Sequence, residues 1–164
     1  MAVKKHVAEN VRLIASIDRL DSIFLGDFPG DPDALATARW ELTRDLLLYF
    51  ATQESLVVQP LAADLRPDAV LASAQAADRL RHLQAMFEGQ SDTRFARPKA
   101  AQWRAARRQT HANLAQVRAA LVQDRSKLFP FLPAQPKASV RPAPQTNFAS
   151  QAWSFRQQLF PDGR

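Results

Sequence analysis

The sequence predicts an all-α protein, arranged as an up-down-up-down four-helix bundle with a Pro-rich C-terminal extension. Three observations lead there. The long segments are rich in Ala, Leu, Arg and Gln, which favour helices, and lack the β-branched alternation of strands. Apolar residues in them recur every three or four positions, the spacing of one helix face. Only four glycines occur, Gly26, Gly30, Gly89 and Gly163, and they fall where a helix should end or a loop or tail should run.

The first helix is expected over residues 3–25. Val7, Val11, Ile14, Ile17 and Leu20 form its stripe, with Leu13 and Phe24 beside them. Gly26 is expected to end it in the left-handed conformation. "GDFPGDP" is a turn-rich link. The second helix opens at Asp31 and Pro32, a cap and a first-turn proline. Its stripe is Leu35, Leu42, Leu46, Phe50, Val57 and Leu61. Pro60 lacks a helical donor and its ring crowds the preceding turn, so a kink or stop is expected near residues 56–60. Pro67 starts the third helix, which carries Val70, Ala77, Leu80, Leu83, Met86 and Phe87 and stops at Gly89. "QSDTRFAR" is a loop. The fourth helix runs from Pro98 to Phe129. Trp103, Ala106, Thr110, Leu114, Val117, Leu121, Asp124 and Leu128 point inward, and Pro130 ends it.

The bundle thus occupies residues 1–132, and 133–164 form a strap and a short aromatic segment. "PFLPAQPKASVRPAPQTN" holds five prolines in 18 residues and no periodicity. The final stretch carries Phe148, Trp153, Phe155, Leu159 and Phe160, too much aromatic surface for an idle tail. It either docks back on the bundle or binds a partner's groove.

The 164 residues suffice for one domain, and 46% are hydrophobic. Without cysteine there is no disulfide, thiolate metal site or Cys nucleophile. The amphipathic N-terminus has no signal-peptide pattern, and no apolar run is long enough for a bilayer, so a cytoplasmic protein is expected. Net charge is +6 and the pI is about 10.5. Lys99, Arg104, Arg107, Arg108, His111 and Arg118 supply much of that charge to the last helix. Arg104, Arg107, Arg108 and His111 are spaced to share an outer face that could follow phosphates. No helix-turn-helix, zinc or aromatic-sheet signature accompanies them, so a solvated face is favoured over nucleic acid. No phosphate loop, nucleophile elbow or H-E-x-x-H motif occurs.

"FATQESLVVQPL" and "ALVQDRSKLFPF" lie seventy residues apart. Each sets Gln beside an acid, at Gln53-Glu54 and Gln123-Asp124. Each has a proline six residues after the acid, at Pro60 and Pro130. The same offset pairs Leu13 with Leu83 and Ile17 with Phe87, so two copies of one hairpin are expected. Glu54 and Asp124 should then face the interior together. These endings, most plainly Leu128-Phe129-Pro130, resemble the hemerythrin-like (HHE cation-binding) family over residues 5–132. So does the run "RFARPKAAQWRAARRQTHANL" that leads into the last helix.

The resemblance implies a di-iron centre with several imidazoles and two bridging carboxylates. Glu54 and Asp124 match the carboxylates. The family's histidines would fall at Asn10, at Phe50, at Arg79 or Leu80, and at Ala120, and none of these is His. Iron in an N/O site gains most of its affinity from neutral imidazoles. The expectation is therefore a vestigial polar site of Glu54, Asp124, Asn10, Gln53 and Arg79, with Arg79 bridging a carboxylate in place of metal. Tyr49 and Gln123 are further available partners. If a metal were bound, the candidates would be Glu54, Asp124, His82 and His111. The histidines His6, His82 and His111 otherwise read as surface or core-edge residues.

The reading favoured is a non-enzymatic interaction or regulatory module without a cofactor. Its partner is expected to be a protein, with a homodimer left open and no membrane. Trp153, Phe155, Phe160, Arg104, Arg107 and Arg108 are the contact candidates. The alternatives are a divergent iron-binding sensor of oxygen, NO or redox state, and a basic helical protein that binds nucleic acid.

Overall fold

A computed structural model describes residues 2–89, 97–132 and 148–160. Every regular element among them is helical. In order they are α1 (Ala2–Leu25), α2 (Pro32–Gln53), a π-helical turn π1 (Glu54–Val58), α3 (Gln59–Ala62) and α4 (Pro67–Gly89). A 3-10 turn (Ala100–Gln102), α5 (Trp103–Gln123), a second π-turn π2 (Asp124–Leu128), a 3-10 turn (Phe129–Phe131) and α6 (Phe148–Leu159) complete the chain order. The α1 helix packs on α2 and α5, α4 packs on π1, α3 and π2, and α6 lies on α2. The "QSDTRFAR" loop, apart from its last residue, and most of the Pro-rich strap lie outside the described residues.

The buried face of α1 is Val3, His6, Asn10, Leu13, Ile17, Leu20 and Phe24. Its spacing alternates between three and four, which holds one seam against two neighbouring helices. Val7 and Ile14 are only partly buried, and Val11 is exposed, contrary to the expected stripe. Two polar residues, His6 and Asn10, hold seam positions instead. Gly26 ends α1 without the expected left-handed turn; its N–H reaches the Ile23 carbonyl at 3.2 Å, tightening the last turn. Trp103 then pins the link, donating to the Gly26 carbonyl at 3.0 Å and stacking on Phe24 at 5.0 Å.

Asp31 caps α2 as expected, accepting from the N–H groups of Asp33 and Ala34. All six residues of the expected α2 stripe are buried, and so are Leu47 and Tyr49. This wider face arises because α2 meets α1 on one side and α6 on another. In α4 the seam is Ala69, Ala72, Ser73, Ala76, Leu80 and Leu83, while Val70 is exposed rather than inward. Small side chains there admit the backbone of π1 and α3. Ser73 Oγ donates to the Val58 carbonyl at 2.6 Å.

The C-terminal segment docks in cis. Phe148 is buried in the main core, 5.7 Å from the Phe50 ring. Gln151 donates to the Gln84 carbonyl at 3.2 Å. Leu159 and Ala36 are buried together, with Trp40, Phe155 and Phe160 packed around them. Trp153 alone among these aromatics is largely exposed, at 60%. Phe148→Ala should therefore cost about 3–5 kcal/mol in urea denaturation. Trp153→Ala should change stability by no more than about 0.5 kcal/mol. Similar effects of the two would count against the docked arrangement.

Candidate functional site

Both π-turns begin at the repeated acid and end two residues before the repeated proline. In π1 the Gln59 N–H bonds the Glu54 carbonyl, and in π2 the Phe129 N–H bonds the Asp124 carbonyl. A proline ring in a regular helix collides with the carbonyl four residues back. One wider turn moves that carbonyl aside and lets the chain continue. The kink or stop expected near residues 56–60 is thus taken up as a π-turn, and a second π-turn precedes Pro130, where the helix is expected to end. Side chains from across the bundle donate to carbonyls beside both turns. Ser73 serves Val58 at π1, and Asn10 Nδ2 serves the Leu121 carbonyl near π2 at 3.1 Å.

A buried polar cluster joins these turns to α1, α2 and α4. Arg79 donates to Asp124 Oδ1 from Nε at 3.2 Å and from Nη2 at 2.8 Å. The two side chains are 18% and 5% exposed. Gln53 lies near enough to Asp124 to favour its charged form. Its Oε1 meets His6 Nε2 on the other side. The His6 ring stacks on Tyr49 at 4.3 Å, and Tyr49 accepts from Asn10 Nδ2 at 3.0 Å. Asn10 Oδ1 and Gln53 Nε2 are buried without a well-formed hydrogen bond.

Burial sets the protonation of this cluster. It lowers the His6 pKa below 6.5, with the Gln53 bond and Glu9 charge opposing it. It raises the Asp124 carboxyl above its ordinary value, although Arg79 and Gln53 pull the other way. Burial also raises the Tyr49 hydroxyl above its usual range, so it stays protonated.

The structure brings Asn10, Gln53, Asp124 and Arg79 into one neighbourhood. It adds His6, which is 5% exposed, against the expectation of a surface or core-edge residue. The signal that could have found it is the alternating three-and-four spacing of the α1 seam, which passes through position 6. Glu54 is also buried, but it lines a separate groove with Ser73 and Ala77 on α4. Tyr49 pairs with Asn10 rather than with an acid. Gln123 is exposed, so the two repeats differ where Gln53 is buried.

His82 and His111 do not join the acids. His82 is exposed, and His111 meets Asp21 of α1 at 2.8 Å. No group of three or more His, Asp or Glu that could hold a metal forms among the described residues. The basic face of α5 is partly neutralised by α1: Arg118 pairs with Asp18 at 2.9 Å, and Arg107 donates to the Leu25 carbonyl at 3.4 Å. Arg104 and Arg108 are exposed. No helix of the described residues is long and apolar enough to cross a membrane.

No protein-family model, curated protein or solved structure matches the chain. The fit to a di-iron centre is decided by chemistry at the site. Phe50, Leu80 and Ala120 are buried there and carry no ligand atom. Arg79 occupies Asp124 with positive charge, and the unpartnered Gln53 Nε2 is a donor rather than a ligand. Two carboxylates with little else hold hard cations weakly. These residues do not fit two irons.

Removing Arg79 would leave Asp124 buried without its cation. Arg79→Met should cost about 3–5 kcal/mol, and the double change Arg79→Met with Asp124→Leu should recover most of it. A double mutant no more stable than the single one would count against the bridge. The lowered His6 pKa has a pH signature. Between its folded value and 6.5 the unfolded chain binds more protons, so stability falls as pH drops through that window. His6→Gln should flatten this part of the melting-temperature profile. Asp124 has the opposite sign at lower pH, because its raised carboxyl takes a proton sooner when folded.

Proposed function

We propose that the chain is a non-enzymatic interaction or regulatory module. In this reading it is built on an up-down-up-down bundle resembling hemerythrin-like domains, with a packed polar core where the metal would be. The Arg79–Asp124 bridge carries this reading. It places a guanidinium on the acid that corresponds to a bridging carboxylate, while Phe50 and Ala120 fill two expected histidine positions. The two π-turns, each beginning at an acid six residues before a proline, are consistent with the two-hairpin origin that the repeated acid and proline suggest.

The contact to a protein partner is assigned to the outer side of α6. Trp153 is its anchor, flanked by Arg156, whose guanidinium lies 5.9 Å from the indole ring. Exposed Trp and Arg pairs are typical centres of protein interfaces. Phe155 and Phe160 are engaged in cis and take a lesser part.

Metal analysis tests the reading. Protein purified from iron-supplemented cells should carry iron well below one atom per chain and show no oxo-bridge absorption. Stoichiometric iron with that band would overturn it in favour of a divergent sensor.

A further inference from the structure

The outer face of α4 carries a second seam. Leu71, Ala74, Asp78, Arg81, Ala85 and Glu88 are all exposed, and they alternate in spacings of three and four. That alternation presents a straight strip to another helix. Among the described residues no helix covers it. Leu71 is 58% exposed, and Val70 beside it is 37% exposed. From Leu71 to Glu88 the strip is about 25 Å long. Alanine at two of its positions lets a second helix axis come close. A groove of about 320 Å³ runs alongside, with Val70, Ala74, Ala77 and Arg81 in its lining.

The charges on this strip suit a copy of itself. Asp78 and Arg81 pair along the helix, and both side chains are largely exposed. An exposed pair one turn apart adds little to the monomer, so exchanging partners costs little. A two-fold axis crossing α4 between Arg79 and Leu80 lays two copies antiparallel. It sets Asp78 opposite Arg81 of the second copy, and Arg81 opposite Asp78 of the second copy, in one operation. The same axis sets Ala74 opposite Ala85, and Leu71 opposite Glu88. Moving the axis to Asp78 or to Arg81 would set like charges opposite each other. A parallel pairing in register would do the same at both positions.

We propose that the outer face of α4 is a homodimer contact, formed antiparallel about the axis between Arg79 and Leu80. The occupant is a second copy of this chain, because the acid and the base are placed to satisfy each other only when the same face is reversed onto itself. The two ion pairs set direction and register. Leu71, Val70 and the alanines supply the apolar contact. Neither Trp153 nor the Arg79–Asp124 bridge belongs to this contact, so it is independent of the partner surface on α6 and of the metal question.

Sedimentation equilibrium of the full chain over a concentration series tests this. The unaltered chain should reach twice the 18.3 kDa of one copy. Asp78→Arg sets cation against cation and Arg81→Asp sets acid against acid, so each should weaken the dimer about ten-fold or more. The double change Asp78→Arg with Arg81→Asp rebuilds both pairs and should restore the dimer. An equimolar mixture of the two single variants should also associate, since each supplies the charge the other lacks. Leu71→Glu, which brings an acid against Glu88 of the second copy, should break the contact independently. All these positions are exposed, and an unchanged circular dichroism spectrum would show that the variants fold. A chain that stays monomeric throughout the series, a dimer that Asp78→Arg leaves unchanged, or a folded double variant that stays dissociated would each overturn the proposal.

Discussion

Asp124 is 4% exposed, and its carboxylate must be compensated inside the bundle. Moving an ion out of water costs several kcal/mol even after relaxation, and a single charged neighbour seldom offsets it alone. Arg79 supplies the charge and two donors from α4, and Gln53 lies close by from α2. Gln53 is in turn placed by His6 of α1, and His6 by the face of Tyr49. The order of dependence therefore runs through three long helices and a π-turn. A polar core of this kind penalises alternative packings, because a register slip would leave a buried ion or amide unmatched. It specifies one arrangement of the helices more than it adds to stability.

The two prolines explain why this polar core forms where it does. Each demands a wider turn just before it, and each wider turn begins at an acid. A π-turn inserts one extra residue and rotates the helix beyond it, so neighbouring positions such as Gln53 and Glu54 can both be buried. Ser73 and Asn10 donate to carbonyls beside the two turns. The two turns differ in their surroundings. Asp124 is bridged by Arg79 and forms part of the core. Glu54 opens on a groove of about 320 Å³ beside α4. Both acids are buried, but only Asp124 is bridged to Arg79.

Much of this was legible in the sequence. Helix class, the Asp31–Pro32 start, the α2 stripe and the Arg79 bridge are readable from periodicity, capping and charge pairing. The π-turns were legible only as a disturbance near each proline, because local sequence does not say whether a helix kinks, stops or widens. The α1 and α4 seams were misplaced for a common reason. A stripe read from apolar residues alone admits Val7, Val11 and Val70 and passes over His6 and the small residues of α4. Small and polar side chains occupy a seam when a neighbouring backbone must approach or a distant carbonyl needs a donor. Those needs arise from tertiary contacts as much as 111 residues away, as Asn10 and Leu121 show.

The position of α6 bears on how the bundle ends. Phe148 lies in the same core as Leu13, Phe50, Leu83 and Leu121, so the aromatic segment contributes to the domain's interior. Without it, α2 would expose Ala36, and the ring of Phe50 would lose a neighbour. A helix held by so few large side chains can still be firmly seated, because each fully buried aromatic removes a large apolar area from water. The grip is uneven along its length, with Phe148 at one end, Leu159 at the other and Trp153 facing solvent between them. Among the described residues, that pattern leaves Trp153 exposed on the outer face of α6 while the inner face completes the fold.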